Sequence, residues 1–462
     1  MSLFSRSLFF SFLLFSISPL SWGQQDQTAK PQSVAPAPPL TLQQAIQIGL
    51  ENNYGIRLAR TDEQIVSNNV TRGNAGQLPA VNGNFTRNFT RNNVRQQLGD
   101  QDPRIANGAE SNQLNANVAL NWTIFDGLGM FIAYDRLKAL EKQQQQITRA
   151  TIEESIANIT DAYYNVVRES GKIRSLEEAL NIGQQRIDLT QGRVDVGVSA
   201  KVEVLTARVD YNADRSLLLQ QQELLSAAKI NLNNLLGRTT VIDFQPTDSI
   251  VVTAGLRAEE IVQGVLDKNP RLQQARLGVD VARYERRLIR ADRWPQVSLT
   301  SGYGLTRNIN GAAFFGTQLA TNVSRNQGLN YGVVATIPIF NGFNQRRLEQ
   351  NARVVEEQSR LLLDQTRLNL DAETEQALAR YQNRLQLLEL EEENILLARE
   401  NVNIALARYR LGLLTPLDLR VAQRSQLDAE VRLLDIRYQA KQAETTLRRL
   451  SGYLVQEATS QP

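Results

Sequence analysis

The stretch LNANVALNWTIFDG, running from Leu114 to Gly127, has the period of a β-strand. Leu114, Ala116, Val118, Leu120, Trp122 and Ile124 alternate with Asn115, Asn117, Asn121 and Thr123. A period of two places apolar side chains on one face of a strand and amides or hydroxyls on the other. The same design returns 215 positions later, where Leu329, Tyr331, Val333, Ala335, Ile337 and Ile339 alternate and Phe340-Asn341-Gly342 stands for Phe125-Asp126-Gly127. Residues 40–237 recur divergently as 256–452: Asn53, Ala59, Arg60, Ala75 and Pro79 reappear as Asn269, Ala275, Arg276, Ala291 and Pro295. Arg193, Gly197, Ala207 and Gly237 reappear as Arg408, Gly412, Ala422 and Gly452. Units of this length exceed the ~20 to 50 residues of a solenoid repeat. Each half is therefore a structural unit, and the two are related by a pseudo-symmetry.

Upstream of the strands, Leu42, Ala45, Ile46, Gly49 and Leu50 fall on one helical face behind a Thr41-x-x-Gln44 capping box. Ala258, Ile261, Val262, Val265 and Leu266 repeat that phase. One helix of about 37 residues in each half, at ~1.5 Å per residue, then meets Pro79 or Pro295, where the period changes to two. Strands are expected over about 80–92 and 113–125, and over about 296–307 and 328–340, each pair joined by a Gly/Asn-rich loop of roughly twenty residues. Their length meets the ~9 to 11 residues of a tilted membrane strand, although a soluble sheet face shows the same alternation.

From Leu128 to Val196 there is no proline, and from Phe343 to Leu411 neither proline nor glycine. Each stretch predicts a helix (about 128–196 and 343–411) of ~100 Å at 1.5 Å per residue, far beyond the ~11 to 12 residues of an ordinary globular helix. The second long helix carries more than one apolar stripe, which suits a cylinder of helices. Turns at Gly197 and at Gly412 lead into return helices over about 200–236 and 416–450, with Thr415-x-x-Asp418 as a cap. The first helix and the return helix together match the long one, so the two short helices stack end to end beside it. Residues 238–255 have no counterpart in the other half and predict an equatorial linker or collar.

Composition narrows the function. Residues 1–23 combine one arginine, an apolar run from Leu8 to Phe15 and Ser21-Trp22-Gly23, which reads as a secretory signal peptide. A flexible Pro/Ala/Gln-rich tail follows over 24–39, and residues 453–462 form a C-terminal tail. No later run reaches the ~18 apolar residues of a membrane helix. The chain has no cysteine and no histidine, which removes disulfides, thiolate or imidazole metal sites and His-dependent catalysis. A net charge of +3, with charges interspersed along helices, predicts no nucleic-acid partner. No cofactor is expected. Four strands cannot close a barrel, and an open edge in lipid leaves backbone groups unsatisfied. Closure then requires other copies: a dimer with eight strands or a trimer with twelve, the wider barrel being the one that holds water.

Phe125-Asp126-Gly127 and Phe340-Asn341-Gly342, Arg193-Val194-Asp195-Val196-Gly197-Val198-Ser199 and Tyr409-Arg410-Leu411-Gly412-Leu413-Leu414-Thr415, followed by Ala422-Gln423, carry a resemblance over the whole mature chain. The sequence resembles the TolC-type outer-membrane factors, the exit ducts of tripartite efflux pumps and type I secretion systems. That resemblance implies a mixed, mainly α fold. Three chains would form a 12-strand β-barrel in the outer membrane, continuous with a 12-helix periplasmic α-barrel and a mixed equatorial collar. It implies a homotrimer, outer-membrane lipid, a periplasmic adaptor protein and an inner-membrane transporter as partners. Adaptor contacts at the tips carry over to Gly197, Val198, Ser199, Gly412, Leu413 and Leu414. A periplasmic gate carries over to Tyr409, Asp418 and Glu203. The sequence departs from the family's gate at Leu414, where an arginine would stand, and at Val421, where a second aspartate would stand, so an apolar closure competes with an ionic one. Asp418 also reads as a capping carboxylate.

Two rival functions follow from the residues. A soluble periplasmic coiled-coil scaffold or adaptor explains the helices but not four amphipathic strands. Carboxylate catalysis by Glu391, Glu392 and Glu393 is the weaker alternative, because consecutive glutamates on a helix point in different directions.

Overall fold

The computed structural model describes residues 38–97, 99–315 and 318–455. The signal peptide, most of the N-terminal tail and the end of the C-terminal tail lie outside them. In chain order the elements are β1 (Pro39–Leu40), α1 (Leu42–Asn52), α2 (Tyr54–Asn68), β2 (Ala80–Gln96), β3 (Arg104–Asp126), α3 (Gly129–Asp195) and α4 (Lys201–Leu235). There follow β4 (Gln245–Pro246), α5 (Ala258–Lys268), α6 (Pro270–Ala291), β5 (Gln296–Phe315), β6 (Gln318–Thr336), α7 (Asn344–Arg410) and α8 (Pro416–Leu450). The duplicated helix-strand-strand-helix-helix unit is thus explicit. Helices α3 and α7 have 67 residues each, α4 and α8 have 35 each.

Three expectations change. The first helix of each half is two helices, broken at Asn53 and at Asn269. Both asparagines cap the second helix: Asn53 Oδ1 accepts from the Ile56 amide at 3.1 Å, and Asn269 Oδ1 accepts from the Arg271 amide at 2.9 Å, ahead of Pro270 in the first turn. Their Nδ2 groups donate to the carbonyls of Leu235 (2.7 Å) and Leu450 (2.8 Å), so each break is also where the return helix docks. Gly237 and Gly452 complete the joint, with φ of 66° and 70° and the carbonyls of Asn52 and Lys268 only 2.4 and 2.8 Å from where a Cβ would sit. The recurring Asn and Gly are therefore two halves of one repeated joint.

Second, the strands run further than the alternation suggests. Pairing extends into the expected twenty-residue loops, as far as Gln96 opposite Arg104 and Phe315 opposite Gln318. A bulge between Asn92 and Val94 breaks the period of two without ending the ladder. Third, β6 stops at Thr336 although alternation continues to Ile339, because Pro338 has no amide hydrogen to give.

The sheet is antiparallel throughout, in the order β2-β3-β5-β6. Register carries each face across all four strands, including the β3–β5 pairing between the repeats. One cross-strand row reads Gly83, Val118, Tyr303, Leu329 and the next on that face Phe85, Ala116, Leu305, Gln327. Rows on the opposite face read Asn84, Asn117, Gly304, Gly328 and Thr86, Asn115, Thr306, Asn326. In the single chain β2 is exposed along its whole length and no layer covers either face, so the sheet has no core of its own.

The helices do. Tyr163, Ile159, Val166, Leu232, Leu236 and Phe244 bury one core, and Leu370, Leu378, Tyr381, Ile261, Val265 and Leu447 bury its counterpart in the second half. The unrepeated segment lies across them. Strand β4 pairs in parallel with β1, Asp248 meets the Tyr163 hydroxyl at 3.0 Å, and the Tyr381 hydroxyl donates to the Thr253 carbonyl. Burial pushes the Tyr163 phenol up to about 12. Among the described residues no helix is long and apolar enough to cross a membrane.

Candidate functional site

Both helical hairpins turn at their far ends by the same device. Gly197 (φ 80°) and Gly412 (φ 75°) occupy the left-handed position after the helix. The amides of Val198 and Leu413 reach back to the carbonyls of Arg193 and Arg408, both at 2.9 Å. Those of Gly197 and Gly412 reach Val194 and Tyr409. This is the paired C-terminal capping pattern that satisfies the last helical carbonyls. Beyond the turns the hairpins differ. Thr415 caps α8 by accepting from the Asp418 amide at 3.2 Å and donating to its carboxylate at 2.6 Å. Ala200 has no side chain able to cap α4, and Ser199 donates to the Glu203 carboxylate instead.

Of the six tip residues, Gly197, Val198, Gly412 and Leu413 are exposed, whereas Ser199 and Leu414 turn inward. Leu414 packs against a small core of Val402, Ala405, Tyr409, Leu419 and Ala422. Tyr409 is fully buried there. Its hydroxyl lies 2.6 Å from Thr190 Oγ1; Thr190 gives its own hydrogen to the Arg186 carbonyl at 2.7 Å, so the tyrosine is the donor. The Arg193 guanidinium stands 5.3 Å from the Tyr409 ring centroid. Among the described residues Tyr409 and Glu203 are not joined: Tyr409 faces α3, and Glu203 is held within its own hairpin by Ser199. Asp418 is exposed and held by its cap.

Farther from the tip, four charged residues that single-residue motifs do not reveal tie the two hairpins together. Arg186 on α3 meets Asp210 on α4 at 2.5 Å. Arg420 on α8 reaches Asp210 at 3.8 Å and grips Asp214 with two nitrogens at 2.6 and 2.8 Å. The Asp214 hydrogen bond holds Arg420 above the usual arginine range. Two arginines and two aspartates cancel, and Arg186 and Asp214 are almost wholly buried. A second tier, ~22 Å further along α8 at 1.5 Å per residue, joins Lys172 to Asp435 at 2.7 Å and Arg168 to Asp435 at 3.6 Å. A sequence signal for the first tier exists. Positions 215 residues away from Arg186, Asp210, Asp214 and Arg420 hold Asn401, Ser425, Ala429 and Leu205, so this charge cluster stands where the repeats differ.

A sheet with one mainly apolar and one amide-rich face, carried on helices of ~100 Å whose two hairpins are tied together by a buried ionic tier, defines an outer-membrane channel protein of the helix-and-barrel type. The chain belongs to the outer membrane efflux protein family, whose model matches it twice, over residues 45–238 and 261–453, one match per repeat. The probable efflux pump outer membrane protein TtgC of Pseudomonas putida is 23% identical over 433 residues, covering 91% of this chain and 84% of that protein. The cation efflux system protein CusC of Escherichia coli K12 is 24% identical over 416 residues, covering 86% and 83%. Solved structures of CusC and of VceC from Vibrio cholerae superpose with TM-scores of 0.71 and 0.70 at 20% and 18% identity. Each covers 89% of this chain, and 92% and 96% of those chains. The protein resides in the outer membrane and serves efflux, and the scaffold without a pore finds no support. Among the described residues no cluster of carboxylates is arranged to hold a metal.

Proposed function

We propose that three copies close this sheet into a twelve-strand barrel over a twelve-helix tunnel, forming the exit duct of a tripartite pump. A periplasmic adaptor and an inner-membrane transporter would engage its tips. The observation that carries the reading is the sheet: each edge strand, β2 and β6, lacks a partner on its outer side in the single chain, while one face is mainly apolar across all four strands and the other is rich in amides and hydroxyls. An edge in lipid is costly unless another strand completes it. The polar face, turned inward, lines a wet passage of amides and hydroxyls that binds no class of solute strongly. Relatives that cover most of the chain are named for efflux of toluene and of cations, which supports small-molecule cargo.

The exposed tip residues Gly197, Val198, Gly412 and Leu413 are the surface we assign to the adaptor, with Ser199 and Leu414 shaping the turns beneath. The gate is assigned to Tyr409 with Thr190 and Arg193, backed by Arg420 with Asp210 and Asp214. Arg193 supplies, from the first hairpin, a cation beside Tyr409 that Leu414 cannot. Asp418, repeated in three chains, forms a ring of like charge at the mouth that favours cations. Glu203 takes the role of steadying the tip of its own, first hairpin through Ser199. Washed outer membranes test the duct: native mass spectrometry of detergent-extracted protein is expected to return three chains per particle. Purified protein is expected to conduct in planar bilayers. Recovery only as a soluble periplasmic monomer overturns it. In the same bilayers Asp418→Ala is expected to weaken block by multivalent cations, and unchanged block would reduce Asp418 to its cap.

A further inference from the structure

The apolar face of the sheet is crossed by one row that holds three arginines; Arg91, two rows further along β2 on the same face, stands opposite Glu110. Arg87 on β2, Leu114 on β3, Arg307 on β5 and Arg325 on β6 are cross-strand partners in one line. Arg307 and Arg325 sit directly opposite each other, an arrangement that repels unless a counter-charge is present. All three arginines are exposed. The four strands contain only two carboxylates, Glu110 and Asp126. Glu110 lies 4.0 Å from Arg91, and Asp126 sits at the opposite, helical end of β3, so among the described residues none of the three has a carboxylate partner.

The height of the row is informative. From Val297, near the helical end of β5, to Arg307 the strand rises about 33 Å at ~3.3 Å per residue. Tilted by ~40°, that is about 25 Å across the bilayer, the height of the apolar band of an outer-membrane barrel. Arg87 leans further outward, its guanidinium 4.7 Å from the centroid of Phe89 and its Nε donating to Asn112 Oδ1 at 3.3 Å. The row thus lies at the edge of the hydrocarbon remote from the helices, where lipid head groups of the outer leaflet begin. With strands ~4.8 Å apart, the guanidinium row spans about 15 Å per chain, broader than one phosphate.

We propose that Arg87, Arg307 and Arg325 form a binding site for the phosphorylated head of an outer-leaflet saccharolipid. Guanidinium forks match phosphate oxygens two by two, and the desolvated edge of the bilayer strengthens the pairing. The inference rests on the barrel reading above, because only a membrane-embedded face brings lipid to this row. The test uses trimers extracted from outer membranes and three lipids in detergent: bisphosphorylated lipid A, the same lipid with its phosphates removed, and phosphatidylglycerol. The wild-type protein is expected to bind the bisphosphorylated form at least ten-fold more tightly than either of the others. The triple substitution Arg87→Gln, Arg307→Gln, Arg325→Gln should lose most of that preference, and Arg91→Gln, whose side chain faces Glu110, should keep it. Equal affinity for phosphorylated and dephosphorylated lipid overturns the proposal, as does displacement by inorganic phosphate at equal phosphate concentration. The wild-type comparison needs no variant, so a triple variant that fails to fold does not weaken it. Failure of these arms with an intact outer-membrane trimer overturns the lipid site alone; absence of the trimer overturns the duct.

Discussion

Arg420 carries its guanidinium to two aspartates of the other hairpin, and what happens when it is lost is a residue-scale question. Removing one partner of a buried pair leaves the other charge without compensation, typically at about 3–5 kcal/mol. Arg420→Ala is therefore expected to loosen the second hairpin from the first and raise single-channel conductance several-fold. Asp214→Asn should act in the same direction. The double variant should add little to the larger single effect, since both break one contact. Glu153 gives a different handle. It is almost wholly buried on α3, and burial outweighs its bond to Arg149, raising its carboxyl from 4.5 to about 7. Its folded value exceeds its unfolded one, so its contribution to stability is complete below pH ~4.5 and is lost as pH rises through about 7. Glu153→Gln should then stabilise the protein at pH 8 and have little effect at pH 4, read as the difference in thermal midpoint. Legibility at this scale was uneven. Tyr409 and Asp418 stood out through the resemblance, but the Thr190 and Arg193 contacts depend on which face of α3 meets α7, and periodicity along two 67-residue helices does not settle that rotation.

Among the elements, the repeated joint matters most. Asn53→Ala and Asn269→Ala each remove a cap and orphan a carbonyl of the return helix, an expected loss of about 2 kcal/mol. Hydrogen exchange at the first turn of α2 or α6 should report it as faster amide exchange. Gly237→Ala should be worse, because a side chain meets both a positive φ and the Asn52 carbonyl, and loss of folded trimer is the expected result. The long and return helices were readable from missing prolines and from glycines at their ends. The break at Asn53 was not, because the apolar phase runs through it and only the cap marks it. Strand ends escaped for opposite reasons: the Asn92–Val94 bulge hid three further residues that pair, Val94, Arg95 and Gln96, and Ile337 and Ile339 kept the alternation where Pro338 had already ended the ladder.

At the scale of the molecule, exposure itself argues for partners. A compact monomer of 51.8 kDa shows about 17,000 Å² of surface; this chain shows 30679 Å². Both sheet faces and much of the helical surface await lipid, water or other copies. The chain has no cysteine, so cysteines placed on the outer edges of β2 and β6 will report contacts between copies against an empty background. Crosslinked species up to the trimer and none larger are expected on denaturing gels. That the sheet ends in two open edges was expected from four strands alone; that each face continues across the β3–β5 seam required the register. The unpaired edges have a genetic consequence. A chain whose β6 cannot accept a neighbour still offers a sound β2, so it enters assemblies and spoils them. Expressed equally with the wild type, it should leave roughly one trimer in eight built wholly from sound chains, and a recessive-looking lesion will behave as a dominant one.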